Sequence, residues 1–264
     1  MKKIAAAVLG LCGLALAGCF DIEQTLTLEK NLSGKAGFAM KVDMEPMVGF
    51  MLRMQREMEG KTGEPTKAEL DKARQDFIAS KKTEAAPDFE KDKKELQQKL
   101  PKGVTLLDSS FNNDGLKIAA NFLFGFDNVS KLSEIQFPKK QEEGAEQQGP
   151  GGGPGNPVES PFNGLKVVDE GSTILVTSPT ENPVADQQKQ TDEMMNLDAD
   201  TKKQMEEMFK GLRVAFKITA PFQVVEHNAH RKEGNTLIWE YDIKTLEKMK
   251  PEELAQGVRV RYKK

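Results

Sequence analysis

From Asp21 onward apolar and polar residues alternate. Ile22, Leu26 and Leu28 share one side, and Asp21, Glu23, Thr25 and Thr27 the other, which is the two-residue period of a half-buried strand. The turn residues NLSG follow, and Ala36, Phe38, Met40 and Val42 resume the pattern, so residues 21–42 predict a β-hairpin. It returns from Val104 to Phe126, where FNNDG joins two strands and the second places Leu116, Ile118, Ala120, Phe122, Phe124 and Phe126 on one side. An aromatic face of that length has to be covered by another layer. Two more hairpins are expected, one from Leu165 to Val176 around DEGS and one from Leu212 to Ile243, in which Leu212, Val214, Phe216 and Ile218 alternate with Arg213, Ala215, Lys217 and Thr219.

Helical spacing interrupts the strands. MEPMVGFMLRMQREME sets Met44, Met47, Met51, Met54 and Met58 three and four residues apart, one stripe of a helix. Thr66 with Glu69 forms a capping box after Pro65, and Leu70, Ala73, Phe77 and Ile78 mark the apolar face that follows. Phe89, Leu96 and Leu100 predict a short helix, and Asp200 before Met205 and Met208 another that stops at Gly211. Hairpins with helices grouped between them argue for an α+β fold, an antiparallel sheet packed with interspersed helices. Residues 144–161, GAEQQGPGGGPGNPVESP, have the composition of a flexible insertion, and Ser178 to Asp192 read as a second exposed loop. Neither half carries enough strands to close its own core, so residues 19–264 are expected to form one domain.

The amino end decides where that domain works. MKKIAAAVLGLCGLALAGC has a basic start at Lys2 and Lys3, an uncharged run and small residues before a cysteine, the layout of a secretory leader covering residues 1–18. Leu16, Ala17, Gly18 and Cys19 look like a bacterial lipobox, which implies a lipidated Cys19 as the first mature residue. Several acyl chains, at ~0.8 kcal/mol per buried methylene, make release from a bilayer negligible. Cys12 leaves with the leader, so no disulfide can brace the domain. Phe20 rather than aspartate after the cysteine leans toward the outer membrane, and otherwise the expected place is the cell envelope, facing the periplasm or the exterior. Two of the 38 basic residues also leave with the leader, against 41 acidic ones, for a mature charge near −5 that disfavours nucleic acid as a partner.

Chemical motifs are sparse. GKT at Gly60 to Thr62 ends like a phosphate-binding loop, but Gln55 stands where the earlier glycine belongs and the preceding segment is helical, so a helix cap at Gly60 is the simpler reading. Asn196, Asp198, Asp200 and Glu207 occupy calcium-loop spacing, yet Thr201 replaces the turn glycine, which leaves Asp200 as a helix N-cap. His227 and His230, with Glu226, fit a hairpin region with its bend at Gly234 and Asn235, without the converging donors of a metal site. No nucleophile elbow or acid–base pair is marked, and neither an enzyme activity, a cofactor nor a bound metal is expected. The strand VRVRYKK alternates Val258, Val260 and Tyr262 with Arg259, Arg261 and Lys263, as a charged edge strand does, or a basic strip facing headgroups. The methionine stripe has three readings: core filling, an adaptable surface for lipid or peptide, or thioether ligation of copper(I), which a stripe spread along a helix suits least.

The segment APFQVVEHNAHRKEGNTLIWEYD resembles the closing part of the LppM-like lipoprotein domain in Pro221, Val224, Asn228, Gly234 and Trp239, and the hairpin IEQTLTLEKNLSGKAGFAMKV resembles its start. Phe222 and Ala229 stand where relatives place glycines. The resemblance implies an antiparallel sheet wrapped by helices around an apolar groove, and an envelope role tied to lipid or glycolipid. With the aromatic strand and the methionine helix, it makes Met47, Met51, Met54, Phe122, Phe124 and Trp239 the candidate ligand contacts. The expectation is a lipid-anchored, non-catalytic envelope protein that binds an amphiphile or a membrane surface. The alternative is an assembly module that recruits an envelope protein partner.

Overall fold

The computed structural model describes residues 19–61, 63–83, 89–136, 162–177, 211–250, 253 and 256–264. The leader, the insertion at 144–161, the loop at 178–192, the calcium-like spacing and the helix expected from Asp200 lie outside the described residues. In chain order the elements are β1 (Cys19–Leu28), β2 (Gly34–Asp43), α1 (Glu45–Met58), α2 (Lys67–Thr83), α3 (Phe89–Lys99), β3 (Val104–Asn113), β4 (Lys117–Phe126), a 3-10 helix (Val129–Glu134), β5 (Lys166–Asp169), β6 (Thr173–Thr177), β7 (Arg213–Thr219), β8 (Gln223–His227), β9 (Arg231–Glu233), β10 (Thr236–Asp242), α4 (Ile243–Lys248) and β11 (Arg259–Lys263).

The fold is α+β, as the alternation implies, with the strands divided between two sheets. Seven strands run in the order β3-β4-β2-β1-β7-β10-β9, and four in the order β5-β6-β11-β8. All pairs are antiparallel except β1 with β7, which run parallel from Asp21 opposite Arg213 to Thr27 opposite Thr219. Alternation reports which face a residue occupies and nothing about its neighbour's direction, so this pairing was invisible to it. The expected hairpin over Leu212 to Ile243 is likewise split, because β8 leaves β7 to join β11 in the smaller sheet. β11 lies between β6 and β8 rather than at an edge. Its Val260 and Tyr262 are buried, while Arg261 on the other face bonds Glu226 at 2.8 Å and Glu170 at 3.2 Å. The basic strip is therefore a neutralised central strand.

The helices end where their residues dictate. The Lys61 N–H donates to the Arg56 carbonyl and the Gly60 N–H to that of Glu57, with Gly60 at φ 71°, the left-handed stop read in GKT. The Thr66 N–H donates to Glu69 at 2.8 Å and the Glu69 N–H to the Thr66 hydroxyl at 3.3 Å, completing the capping box. Ion pairs of Arg53 with Glu64, Arg56 with Glu69 and Arg74 with Glu45 tie α1 to the start of α2 and to its body.

The main core fills the space between the two sheets. Leu26, Leu28, Phe124, Phe126, Ile218, Leu237 and Trp239 come from the large sheet, and Ile174, Val176, Val260 and Tyr262 from the small one, with Leu96 of α3 and Leu132 of the 3-10 helix closing gaps. Among the described residues the buried Tyr262 hydroxyl has no hydrogen-bond partner. A second cluster of Val42, Met44 and Met47, with Phe20, Met40, Phe77, Leu116 and Ile118 against it, lies where α1 and α2 meet the large sheet.

Asn228 clasps the sheets together at the point where the chain crosses from β8 to β9. Its side-chain oxygen accepts from the Trp239 indole at 2.8 Å and from the Arg259 N–H at 2.9 Å, and its amide donates to the Gly257 carbonyl at 2.8 Å. Replacing it strands two donors and one acceptor in a partly buried setting. Asn228→Ala is expected to cost about 3 kcal/mol, seen as a lower urea midpoint with an unchanged slope.

Candidate functional site

The covered face of the large sheet is organised in rows of paired residues. The rows through Leu28 and Leu26 are closed into the main core. The next row runs Phe122, Phe38, Gln24, Phe216, Trp239, and the one beyond it Ala120, Met40, Ile22, Val214, Tyr241. In these two rows Phe38, Phe122, Phe216, Ile22, Met40 and Val214 are only half-buried. They form an apolar strip between the main core and the methionine cluster. Phe89 at the start of α3 flanks it, with its ring 5.6 Å from Phe111 and 6.4 Å from Phe122.

Gln24 sits in the middle of this strip, on the central strand. Its side chain makes no hydrogen bond among the described residues, and it is the one polar side chain in phase with Ile22, Leu26 and Leu28. An apolar surface with a few placed polar groups is the usual chemistry of an amphiphile site. Gln24 offers two donors and an acceptor there. Sequence reading passed over it, although its phase in the alternation was the available signal.

The candidate residues fall in three places. Phe122 lies in the strip, stacked at 6.3 Å on Phe124 of the neighbouring row, while Phe124 and Trp239, the latter at the far end of the Phe122 row, are fully buried. Met47 is buried in the second cluster together with Met44. Met51, 51% exposed, turns away from it, as does Met58 at 69%, and Met54 is half-buried. The stripe is thus divided between core and solvent. The backbone of Cys19 is the first residue of β1, paired with Asp43.

The opposite face of the same strands is charged. Arg213 reaches Asp21 at 2.7 Å, Glu23 at 3.2 Å and Glu240 at 2.6 Å, bridging β1, β7 and β10, and Lys217 adds a 2.8 Å contact to Glu23. Glu240 above all raises the affinity of the Arg213 guanidinium for its proton, burial opposing it. Burial pushes the Glu23 carboxyl up, but hydrogen bonds from Lys217 and Arg213 outweigh that and hold it below its ordinary range. The Arg213 hydrogen bond likewise lowers Glu240. These carboxylates face salt-bridge partners across the sheet.

Both histidines serve the backbone. The Ala229 N–H donates to His227 Nδ1 and the Glu240 N–H to His230 Nδ1, each at 3.1 Å, and the His230 ring stands edge-on to Tyr241 at 4.9 Å. Among the described residues no three His, Cys, Asp or Glu side chains are grouped to hold a metal ion. An open cleft of about 560 Å³ lies at the other end of the sheet, lined by Leu28, Glu29, Lys30, Asn31, Thr219, Ala220, Pro221 and Asn235. No described helix is long and apolar enough to cross a membrane.

No protein-family model matches the chain, and no curated protein matches it either. Among solved structures, the folded domain of LppM from Mycobacterium tuberculosis, determined by NMR, is similar at 10% identity over 94% of this chain and 91% of that one, with a TM-score of 0.37. Likeness at that level does not establish a common fold, and the site rests on this chain's own residues.

Two measurements check the division of the surface. Met47→Ala is expected to lose about 3 kcal/mol as a core truncation, whereas Met51→Ala stays within about 0.5 kcal/mol, both read by denaturant unfolding. Glu23 and Glu240, held below their ordinary 4.5, contribute stability that is present above that pH and lost as acid protonates them. Arg213→Gln raises both carboxyls toward the ordinary value, so the unfolding free energy of the variant falls less steeply with acid in that window than the wild type's.

Proposed function

We propose that this chain is a bacterial envelope lipoprotein, fastened by acyl chains on Cys19, whose α+β domain binds an amphiphile without catalysis. The observation that carries the reading is the half-buried strip on the large sheet, where the Gln24 amide, without a hydrogen bond among the described residues, lies among Phe38, Phe122, Phe216, Ile22 and Met40. A hydrocarbon chain laid along those residues would gain roughly 25 cal/mol for each Å² withdrawn from water. A carbonyl or carboxylate near its head would find the Gln24 amide, which explains a polar residue at the centre of an otherwise apolar face. The lipobox supports the anchor. It would hold the domain where diacyl lipids and glycolipids are abundant, and an envelope protein partner would be met at the same surface.

Trp239 is the single tryptophan of the chain and pairs directly with Phe216. A brominated fatty acid bound in the strip should quench its emission in the mature chain prepared without its leader, and Phe216→Glu should abolish that quenching while leaving the far-ultraviolet spectrum unchanged. Absence of quenching in the wild type at saturating fatty acid would refute lipid binding at this face and leave the recruitment of a protein partner as the reading to pursue.

A further inference from the structure

We propose that the Cys19 end of the seven-stranded sheet rests directly on the bilayer, so that the domain stands with the cleft beside the β1–β2 turn directed away from the membrane. This rests on the lipidation of Cys19 proposed above, and it adds an orientation that lipidation alone does not supply. A flexible tether lets a domain wander by roughly 5–6 Å times the square root of its residue number. Here that number is zero. β1 is hydrogen-bonded from its first residue, with Cys19 opposite Asp43 and Asp43 opposite Lys117, so acyl chains on Cys19 would leave from the strand itself.

The position of that strand limits tipping. β1 is the fourth of seven strands, with β2, β4 and β3 on one flank and β7, β10 and β9 on the other, so the anchor acts at the middle of the sheet's width. Tipping onto the outer face would press Asp21, Glu23, Lys217 and Glu240, a solvated charge network, toward the lipid. Exposed Lys41, Lys117 and Lys244 at the anchored end are balanced by Asp43, Asp114 and Asp242. Contact there is therefore held by the acyl chains rather than by attraction to anionic headgroups. The ten residues of β1 extend about 3.3 Å each. That sets Asn31 and the cleft at Leu28, Glu29 and Pro221 a strand's length from the anchor, where only a soluble ligand or the periplasmic part of another protein could reach them.

The mature chain has no cysteine besides Cys19, so a single probe can be placed without background. Lys117→Cys and Asn31→Cys, each carrying a maleimide fluorophore on the full acylated protein, are reconstituted into phosphatidylethanolamine–phosphatidylglycerol vesicles containing a nitroxide headgroup quencher. Quenching is expected to be several-fold stronger at position 117 than at position 31, and unchanged when salt is raised. Equal quenching at both positions, with palmitate incorporated, would overturn the orientation and leave the lipid anchor standing. Failure to incorporate palmitate would remove the anchor and the orientation together.

Discussion

Strand β1 is the constraint on which the other elements depend. It is the first described segment, the middle of the large sheet, and the place where the two ends of the chain meet: β2 pairs with it after a short turn, and β7 pairs with it in parallel across 192 residues of sequence. Its Leu26 and Leu28 serve the core, and Asp21 and Glu23 on its other side serve the charged face. Arg213 makes this explicit, since its three carboxylate partners come from β1 and β10 and hold β7 in register between them. A one-residue slip of β1 would put Asp21 and Glu23 into the core and Ile22 and Leu26 into water, so the alternation enforces the register.

The chain has two cysteines, Cys12 and Cys19, both at the amino end, so no disulfide closes the two sheets on each other. Closure comes instead from two sheets burying one face each, and from Asn228, which bonds Trp239 of one sheet and Arg259 of the other. Methionine fills the place where α1 meets the large sheet. Met44 and Met47 pack under α1 against Val42 and Met40, where a flexible unbranched side chain follows an irregular gap better than a branched one.

The same architecture separates the surfaces available for binding. The strip around Gln24 is apolar and half-covered, the face around Arg213 is charged and self-neutralised, and the cleft at the β1–β2 turn mixes Glu29, Lys30 and Asn31 with backbone. Each calls for a different occupant. Hydrocarbon suits the first, and the third suits a polar molecule approaching from the aqueous side. With acyl chains on Cys19 the central strand would also be the mount, and these surfaces would hold fixed heights above the membrane.

Local pattern determined the parts list. The period of two marked the first two hairpins and their inward residues, and the Thr66–Glu69 pair and Gly60 marked helix boundaries, because each of these is decided by residues within a turn or two of one another. Which strands became neighbours was decided only by tertiary structure. The parallel union of β1 with β7, the transfer of β8 to the second sheet and the central place of β11 depend on contacts between distant segments, and alternation is the same for an edge strand as for a middle one when both have one wet face. For the same reason Trp239 and Phe124, aromatic and in phase, could not be told from surface contacts until the second sheet closed over them, and Gln24 acquired meaning only when Phe38 and Phe216 were set on either side of it.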